Sequence, residues 1–268
     1  MQNLKDKVAI VTGGNGVLGS AIAIGLAKEG ALLGILGRTE ETVNDTINKI
    51  VSANGQAIPL VADVLDRSSL EDGYQKVISK WNTIDILINA AGGNQPGATI
   101  MPDQTIFDLD VDSFDSVLDL NLKGTLLPVL VFGKSFQKQK KGVIVNISSM
   151  AAQRALTRVA GYSASKAGID ALTRWLAVEM SLKFGPGIRV NAIAPGFFIG
   201  KQNKKLLLND DGSLTDRGQQ IISQTPMKRF GEPEELVGVV NWLCSDQASF
   251  VTGAIIPIDG GFNSFSGV

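Results

Sequence analysis

Seven short runs of apolar, largely β-branched residues recur along the chain: KVAIVTG at 7–13, LLGIL at 32–36, AIPLVAD at 57–63, IDILINAAG at 84–92, GVIVNISS at 142–149, IRVNAIAPG at 188–196 and AIIPIDGG at 254–261. Most are continuously apolar rather than alternating. Strands buried on both faces read this way, and longer segments with apolar residues at helical spacing stand between them. Strands alternating with helices imply parallel pairing through helical crossovers. The pattern predicts an α/β fold, a doubly wound, Rossmann-type parallel sheet with helices on both faces. No short-period repeat, low-complexity tract or Pro/Ser-rich linker divides the 268 residues, so a single domain is expected over 1–268. The stretch at about 197–225, carrying LLLNDDGSLTDRG, breaks the alternation and reads as an irregular insertion, a lid over a ligand site.

Composition narrows the chemistry. With 25 basic and 26 acidic residues scattered along the chain, net charge is −1, which provides no broad basic face for nucleic acid or anionic lipid. No apolar stretch reaches the roughly 18 uninterrupted residues of a membrane span. The single cysteine, Cys244, excludes an intrachain disulfide, and the start, MQNLKDKVAIV, lacks the pattern of a secretory signal, so a cytoplasmic protein is expected. There is no histidine. That removes Ser-His-Asp and Cys-His catalysis and His-based zinc sites, and no metal is expected. Carboxylates, tyrosine, lysine and serine remain for proton chemistry.

The first run is followed by TGGNGVLG, Thr12 to Gly19, and then by the helical pattern SAIAIGLAKEG. Strand, glycine turn and helix form the setting of a dinucleotide site: Gly13 permits the tight turn and Gly19 close helix–strand packing. The helix amino end, around Asn15, Gly16, Val17 and Leu18, offers free N–H groups to a pyrophosphate. The spacing TGxxxGxG would put glycine at Val17, with Gly16 just before it, so the left-handed position or the close approach could be displaced by one residue. Where an acidic residue would read the 2′-hydroxyl of NAD, the chain has Gly37-Arg38. A guanidinium there suits a 2′-phosphate, so NADP(H) is favoured and NAD(H) remains open; Arg38 stacked on adenine or solvated is the other reading. Asp63, followed by Val64, is placed either to accept from the adenine amino group or to cap the next helix. At the fourth run's end, the small residues Ala90 and Gly92 let the backbone pass close to a cofactor, and the Asn89 amide can tie neighbouring strands together.

Tyr162 and Lys166 stand four apart in YSASKAG, on one face of a helical run. An ammonium beside a phenol favours the phenolate and would bring the tyrosine pKa down toward neutrality, making it a usable acid/base. Ser148 and Ser149 end the fifth run, where open α/β sheets bind ligands, and Ser149 can hold a substrate oxygen. Asn121, a polar residue within the helical DLNLKGTLL, can hold a water for proton relay.

This set, TGGNGVLG, NAAG, Asn121, Ser149, Tyr162-x-x-x-Lys166 and Pro195-Gly196, resembles the short-chain dehydrogenase/reductase family over essentially the whole chain. The resemblance implies a catalytic tetrad of Asn121, Ser149, Tyr162 and Lys166, with Lys166 also bonding the nicotinamide ribose. Pro195 and Gly196 would line the nicotinamide site, with Phe198 just beyond; Phe197 and Phe198 also read as lid packing. A homotetramer is implied too, and the apolar carboxyl end suits either a subunit contact or a last core strand with a tail. A narrower set, including DVLDRSSL, INAAGGNQP, NISSMAA, RVNAIAPGFF, DDGSLTDRG and TPMKRFGEPEEL, is similar to the D-mannonate oxidoreductase (fructuronate reductase) branch, whose GVLG turn suggests that Val17 is tolerated. Where many relatives carry a cofactor-contacting threonine, this chain has Gly200.

The expected reaction is hydride transfer between a nicotinamide and the ketone or secondary alcohol of a sugar acid such as D-fructuronate/D-mannonate. Its carboxylate needs a cationic or multi-donor partner. Candidates are Arg154, with Arg158 competing, together with Asn94, Asn203 and Lys201. Gluconate 5-dehydrogenase-like or other polyol chemistry is the nearest alternative, and a non-catalytic NADP(H) sensor a remote one. An α/β hydrolase is disfavoured because histidine and a GxSxG elbow are both lacking.

Overall fold

In the computed structural model, which describes residues 4–200 and 203–267, every one of the seven apolar runs forms a strand. These are β1 (Val8–Thr12), β2 (Leu32–Gly37), β3 (Gln56–Val61), β4 (Ile86–Asn89), β5 (Gly142–Ile147), β6 (Ile188–Pro195) and β7 (Ile255–Ile258). All neighbours pair in parallel, in the order β3-β2-β1-β4-β5-β6-β7. The chain starts in the middle, builds outward to β3, then returns to lay β4 beside β1. The carboxyl ends of β1 and β4 therefore flank the switch point where such sheets bind ligands.

The strands' two-residue period divides the core. Ala9 and Val11 face α1 (Val17–Lys28), α2 (Glu40–Ser52) and α9 (Val237–Cys244), whose Ile22, Leu26, Val43, Ile50, Val240 and Leu243 are buried. Val8 and Ile10 face α3 (Arg67–Trp81), α5 (Gly124–Gln139) and α6 (Ala160–Phe184) through Leu70, Val77, Phe132, Phe136 and Leu176. Burial on both sides is why the strand sequences do not alternate.

One segment departs from expectation in its apolar length. α4 (Val111–Leu118), a π-helical turn at Asp119–Lys123 and α5 form one rod, Val111–Gln139, 29 residues long and as apolar as a membrane span, with mean hydropathy 1.3. Isolated polar positions lower that average only slightly. Half of the apolar window is buried within the protein, and Phe132 and Phe136 are fully buried against the sheet. Truncating either ring to alanine would cost about 3–5 kcal/mol, which is the behaviour of a core helix.

The 197–225 stretch is more regular than its sequence suggests, containing α7 (Lys204–Leu207) and α8 (Asp216–Gln224) joined through a Leu208–Leu214 bridge. Thr215 caps α8 by accepting from the Gly218 amide at 3.1 Å, and Gly218 lies so close to the Leu207 carbonyl that no side chain fits between them. After β7 the tail folds back, with the Asp259 carboxylate accepting from the amides of Gly261 (2.9 Å) and Asn263 (2.7 Å).

Candidate active site

The turn after β1 brings two loops into contact. Gly13 is left-handed, φ 60°, and a Cβ on it would stand 2.8 Å from the Ala90 carbonyl oxygen and the Ala91 backbone. A Cβ on Gly19 would overlap the Gly13 carbonyl. The left-handed position thus stays at Gly13: Gly16 is extended at φ −82° and caps α1 with no side chain, and Val17 is simply the first helical residue, partly exposed. The Asn15 amide turns to Thr42 Oγ1 at 2.8 Å instead of capping, so the first-turn N–H groups of α1 have no side-chain partner among the described residues. Leu18 packs against the core. Open amides at a helix amino end, reached across glycine, fit a pyrophosphate.

At the end of β2, Asn15 Oδ1 rests over Gly37, where a Cβ would be 2.5 Å from it. Arg38, next along, is exposed, and its side chain has no hydrogen bond or ion pair with a described residue. Asp63 accepts from the Leu65 amide at 2.9 Å, whereas the cap of α3 is Asp66, accepting from Ser68 at 2.9 Å, which corrects the capping alternative for Asp63. Val64 is buried, with its side chain against Gly124. Asn89 donates to Asn146 Oδ1 at 2.9 Å across β4 and β5, and Asn146 donates to Thr173 Oγ1 at 2.9 Å, so Asn89 ties strands together. A Cβ on Gly92 would meet Asn121 Oδ1 at 2.6 Å and Lys166 Nζ at 3.5 Å, placing the β4 loop over the catalytic candidates. Glycine there, the bare α1 amides and a lysine beneath form a cradle that suits an extended dinucleotide.

Asn121 lies in the π-helical turn, completely buried. Its Nδ2 donates to the carbonyls of Gly93 (2.8 Å) and Val117 (2.8 Å), and its Oδ1 accepts from the Gly93 amide (3.0 Å). Both amide hydrogens are thus engaged with backbone carbonyls. The Asn121 backbone carbonyl accepts from Thr125 Oγ1 at 2.7 Å. π-turns recur at functional sites because they displace such groups from the helix ladder.

Beyond β5 the two serines separate. Ser148 Oγ makes a short hydrogen bond to buried Asp170, while Ser149 Oγ accepts from the Ala151 amide at 3.1 Å and lies beside the Tyr162 hydroxyl. Lys166 is buried, donates from Nζ to the Ile147 carbonyl at 2.7 Å, and lies 5.5 Å from the centre of the Tyr162 ring. Burial pushes the Tyr162 phenol above its ordinary value, opposed by the Ser149 hydroxyl, and burial pulls Lys166 down to about 8, opposed by Asp170. The expected lowering of the phenol by Lys166 is therefore corrected: the ammonium sits over the ring, and desolvation dominates. Asp170, which the sequence reading missed, lies four residues beyond Lys166, so the 162–166–170 spacing was its signal.

The substrate candidates mostly point elsewhere. Arg154 is corrected first: its guanidinium donates to the tail carbonyls of Asn263 and Phe265, the latter at 3.0 Å. Asn203 closes its own turn, accepting from the Gly200 amide (2.7 Å) and donating to the Phe198 carbonyl (2.8 Å), with Gly200 beside Val17. Asn94 donates to Thr99 Oγ1 at 2.7 Å, and its buried Oδ1 has no partner among the described residues. Lys201 lies outside the described residues. Pro195 ends β6, and Gly196 is pressed against Asp259, where a Cβ would be 2.7 Å from Cα. Phe198 is buried beside Gly231, and Phe197 packs edge-on to Phe262 at 5.2 Å.

The comparisons agree with this geometry. The family described as enoyl-(acyl carrier protein) reductase matches residues 15–263. The oxidoreductase UxuB of Bacillus subtilis strain 168 is 45% identical, covering 100% of this chain and 98% of its own. A Haemophilus influenzae protein described as a D-mannonate oxidoreductase, crystallised with bound NAD, superposes with TM-score 0.93 at 40% identity, covering 100% of this chain and 98% of its own. A Beutenbergia cavernae protein described as an NAD(P)-dependent gluconate 5-dehydrogenase, with NADP bound, has TM-score 0.85 at 31% identity, with 98% of each chain covered. The chain belongs to the short-chain dehydrogenase/reductase family of NAD(P)-dependent oxidoreductases acting on CH–OH groups.

Proposed function

We propose that this protein reduces the ketone of a sugar acid, D-fructuronate to D-mannonate, with Tyr162 as the proton donor, and runs the reverse oxidation when the proton flow reverses. The observation that carries the chemistry is the cluster at the end of β5, with buried Ser149 beside half-buried Tyr162 and buried Lys166 beneath its ring. The nicotinamide, when bound, supplies the hydride to the carbonyl carbon. Ser149 Oγ accepts from Ala151, which leaves its own proton to orient the substrate oxygen, and Tyr162 passes its proton to that oxygen. Lys166, one of whose hydrogens is held by the Ile147 carbonyl, has others for a ribose. Asn121 fixes the Gly93 backbone, and Asp170 holds Ser148. Because burial raises the Tyr162 pKa, the phenol keeps its proton at neutral pH, which supports the reductive direction.

The cofactor is held by Gly13, Gly16, Gly19 and the first-turn amides, with Asp63, Ala90, Gly92, Pro195 and Gly196 along its length. The exposed Arg38 guanidinium supports NADP(H), although similar proteins hold NAD or NADP. The sugar-acid reading is supported by likeness to the Haemophilus protein; likeness to the Beutenbergia protein supports a gluconate 5-dehydrogenase reading as the second choice. α7 and α8 serve as the lid. Trp175 (60% exposed), Val178 (60%) and Leu182 (78%) form one apolar face of α6, and Leu130 is exposed on α5, which supports a homotetramer assembled through these helices. A cytoplasmic site is supported by the lone, buried Cys244.

The test is a screen of D-fructuronate, 5-ketogluconate and neutral ketoses with NADPH and NADH, following absorbance of the reduced nicotinamide. D-fructuronate should be reduced fastest. Preference for 5-ketogluconate would favour the second reading, and silence toward every sugar acid would discard the substrate class while leaving the family.

A further inference from the structure

We propose that Arg158 and Arg217 together form the subsite for the substrate's carboxylate, so that lid helix α8 contributes one arm of recognition and the segment leading into Tyr162 the other. This rests on the sugar-acid reading above. Arg217 lies in the first turn of α8, and its guanidinium reaches across to Thr157, donating to Oγ1 at 3.2 Å and to the carbonyl at 3.4 Å. Arg158 is the next residue, left-handed at φ 75°, with its carbonyl held by the Ile100 amide at 3.0 Å. A non-glycine residue held in that conformation marks a segment constrained for placement. Tyr162 follows four residues later, in the first turn of α6.

Both arginines are partly buried, and neither meets a carboxylate among the described residues. Most other arginines are engaged: Arg67 with Glu71 (3.1 Å), Arg229 with Glu235 (2.6 Å), Arg154 with the tail carbonyls and Arg189 with the Ser245 carbonyl (3.0 Å). Burial lowers the Arg217 pKa, and the Arg158 charge lowers it further, so the two cations oppose each other. Two like charges drawn together in a partly desolvated place are unfavourable until an anion bridges them, and planar guanidiniums match a carboxylate's two oxygens. Because one arm is on the lid, a substrate that bears the carboxylate draws α8 toward the reacting group, while a neutral ketone does not.

The experiment measures kcat and KM for D-fructuronate, and for neutral L-sorbose, in wild type, Arg158→Ala, Arg217→Ala and Arg217→Lys. Each alanine variant should raise KM for D-fructuronate about ten- to hundredfold with kcat little changed, the loss of one charge-assisted pair. L-sorbose turnover and NADPH binding should not move, and Arg217→Lys should fall between, keeping charge but losing the fork. Unmoved D-fructuronate KM in both alanine variants would overturn the subsite alone. A parallel loss toward L-sorbose or NADPH would overturn it in favour of a structural role. A wild type that reduces no sugar acid would overturn the reading beneath it as well.

Discussion

Lys166 gives a prediction whose size follows from its surroundings. Its side chain is buried, and desolvation brings its pKa from 10.5 to about 8. A lowered lysine pKa means that the folded state binds fewer protons than the unfolded chain between those values. Stability therefore rises with pH across that window, and the cost of burying the charge is fully present below it. At about 1.36 kcal/mol per pH unit, the full cost is roughly 3 kcal/mol, of which about 2 kcal/mol is recovered between about pH 7 and pH 9.5. Lys166→Met keeps the length and apolar stem while deleting the charge, and its lost bond to the Ile147 carbonyl costs about the same at both pH values. Urea unfolding of both proteins at the two pH values, at one fixed protein concentration, isolates the contribution as a difference of differences. Wild type should gain about 2 kcal/mol more than the variant over this rise. Equal gains would refute the claim that a buried, destabilised ammonium lies under Tyr162.

Two further changes probe the cofactor half. Gly19→Ala drives a methyl into the Gly13 carbonyl and forces α1 off the turn, so NADPH affinity by fluorescence titration should fall at least about tenfold, with a stability loss of about 1–3 kcal/mol. An unchanged dissociation constant would separate this turn from cofactor binding. Arg38→Asp removes the exposed guanidinium and adds a repelling carboxylate, so the ratio of kcat/KM for NADPH over NADH should fall and reverse. A wild type that already prefers NADH would sink the phosphate argument.

The strands were legible because burial on both faces leaves continuous apolar runs, and the β1 and β4 ends followed from their glycines. Tyr162 and Lys166 were legible because helical spacing fixes a shared face, and Asp170 was within reach by the same rule. Directions of side chains were not. Arg154 and Asn203 have suitable chemistry near the site, yet a tail more than 100 residues downstream holds one, and a local turn holds the other. Helix α8 depends on a Thr215 cap and a glycine contact with α7, neither of which produces a strong periodic signal. The π-turn at Asn121 interrupts a helix without interrupting its apolar pattern, so the backbone partners of the Asn121 amide were not legible. The tyrosine pKa was misjudged because four-residue spacing shows proximity to Lys166 but not the burial of the phenol.

The central claim is that Tyr162 moves the proton. Tyr162→Phe keeps the ring beside Lys166 and removes only the hydroxyl. Single-turnover reduction of the substrate identified by screening, with NADPH binding measured on the same sample, should show affinity within about twofold and a rate lower by about 10² to 10⁴. Turnover within a few-fold of wild type, with cofactor bound normally, would contradict the account.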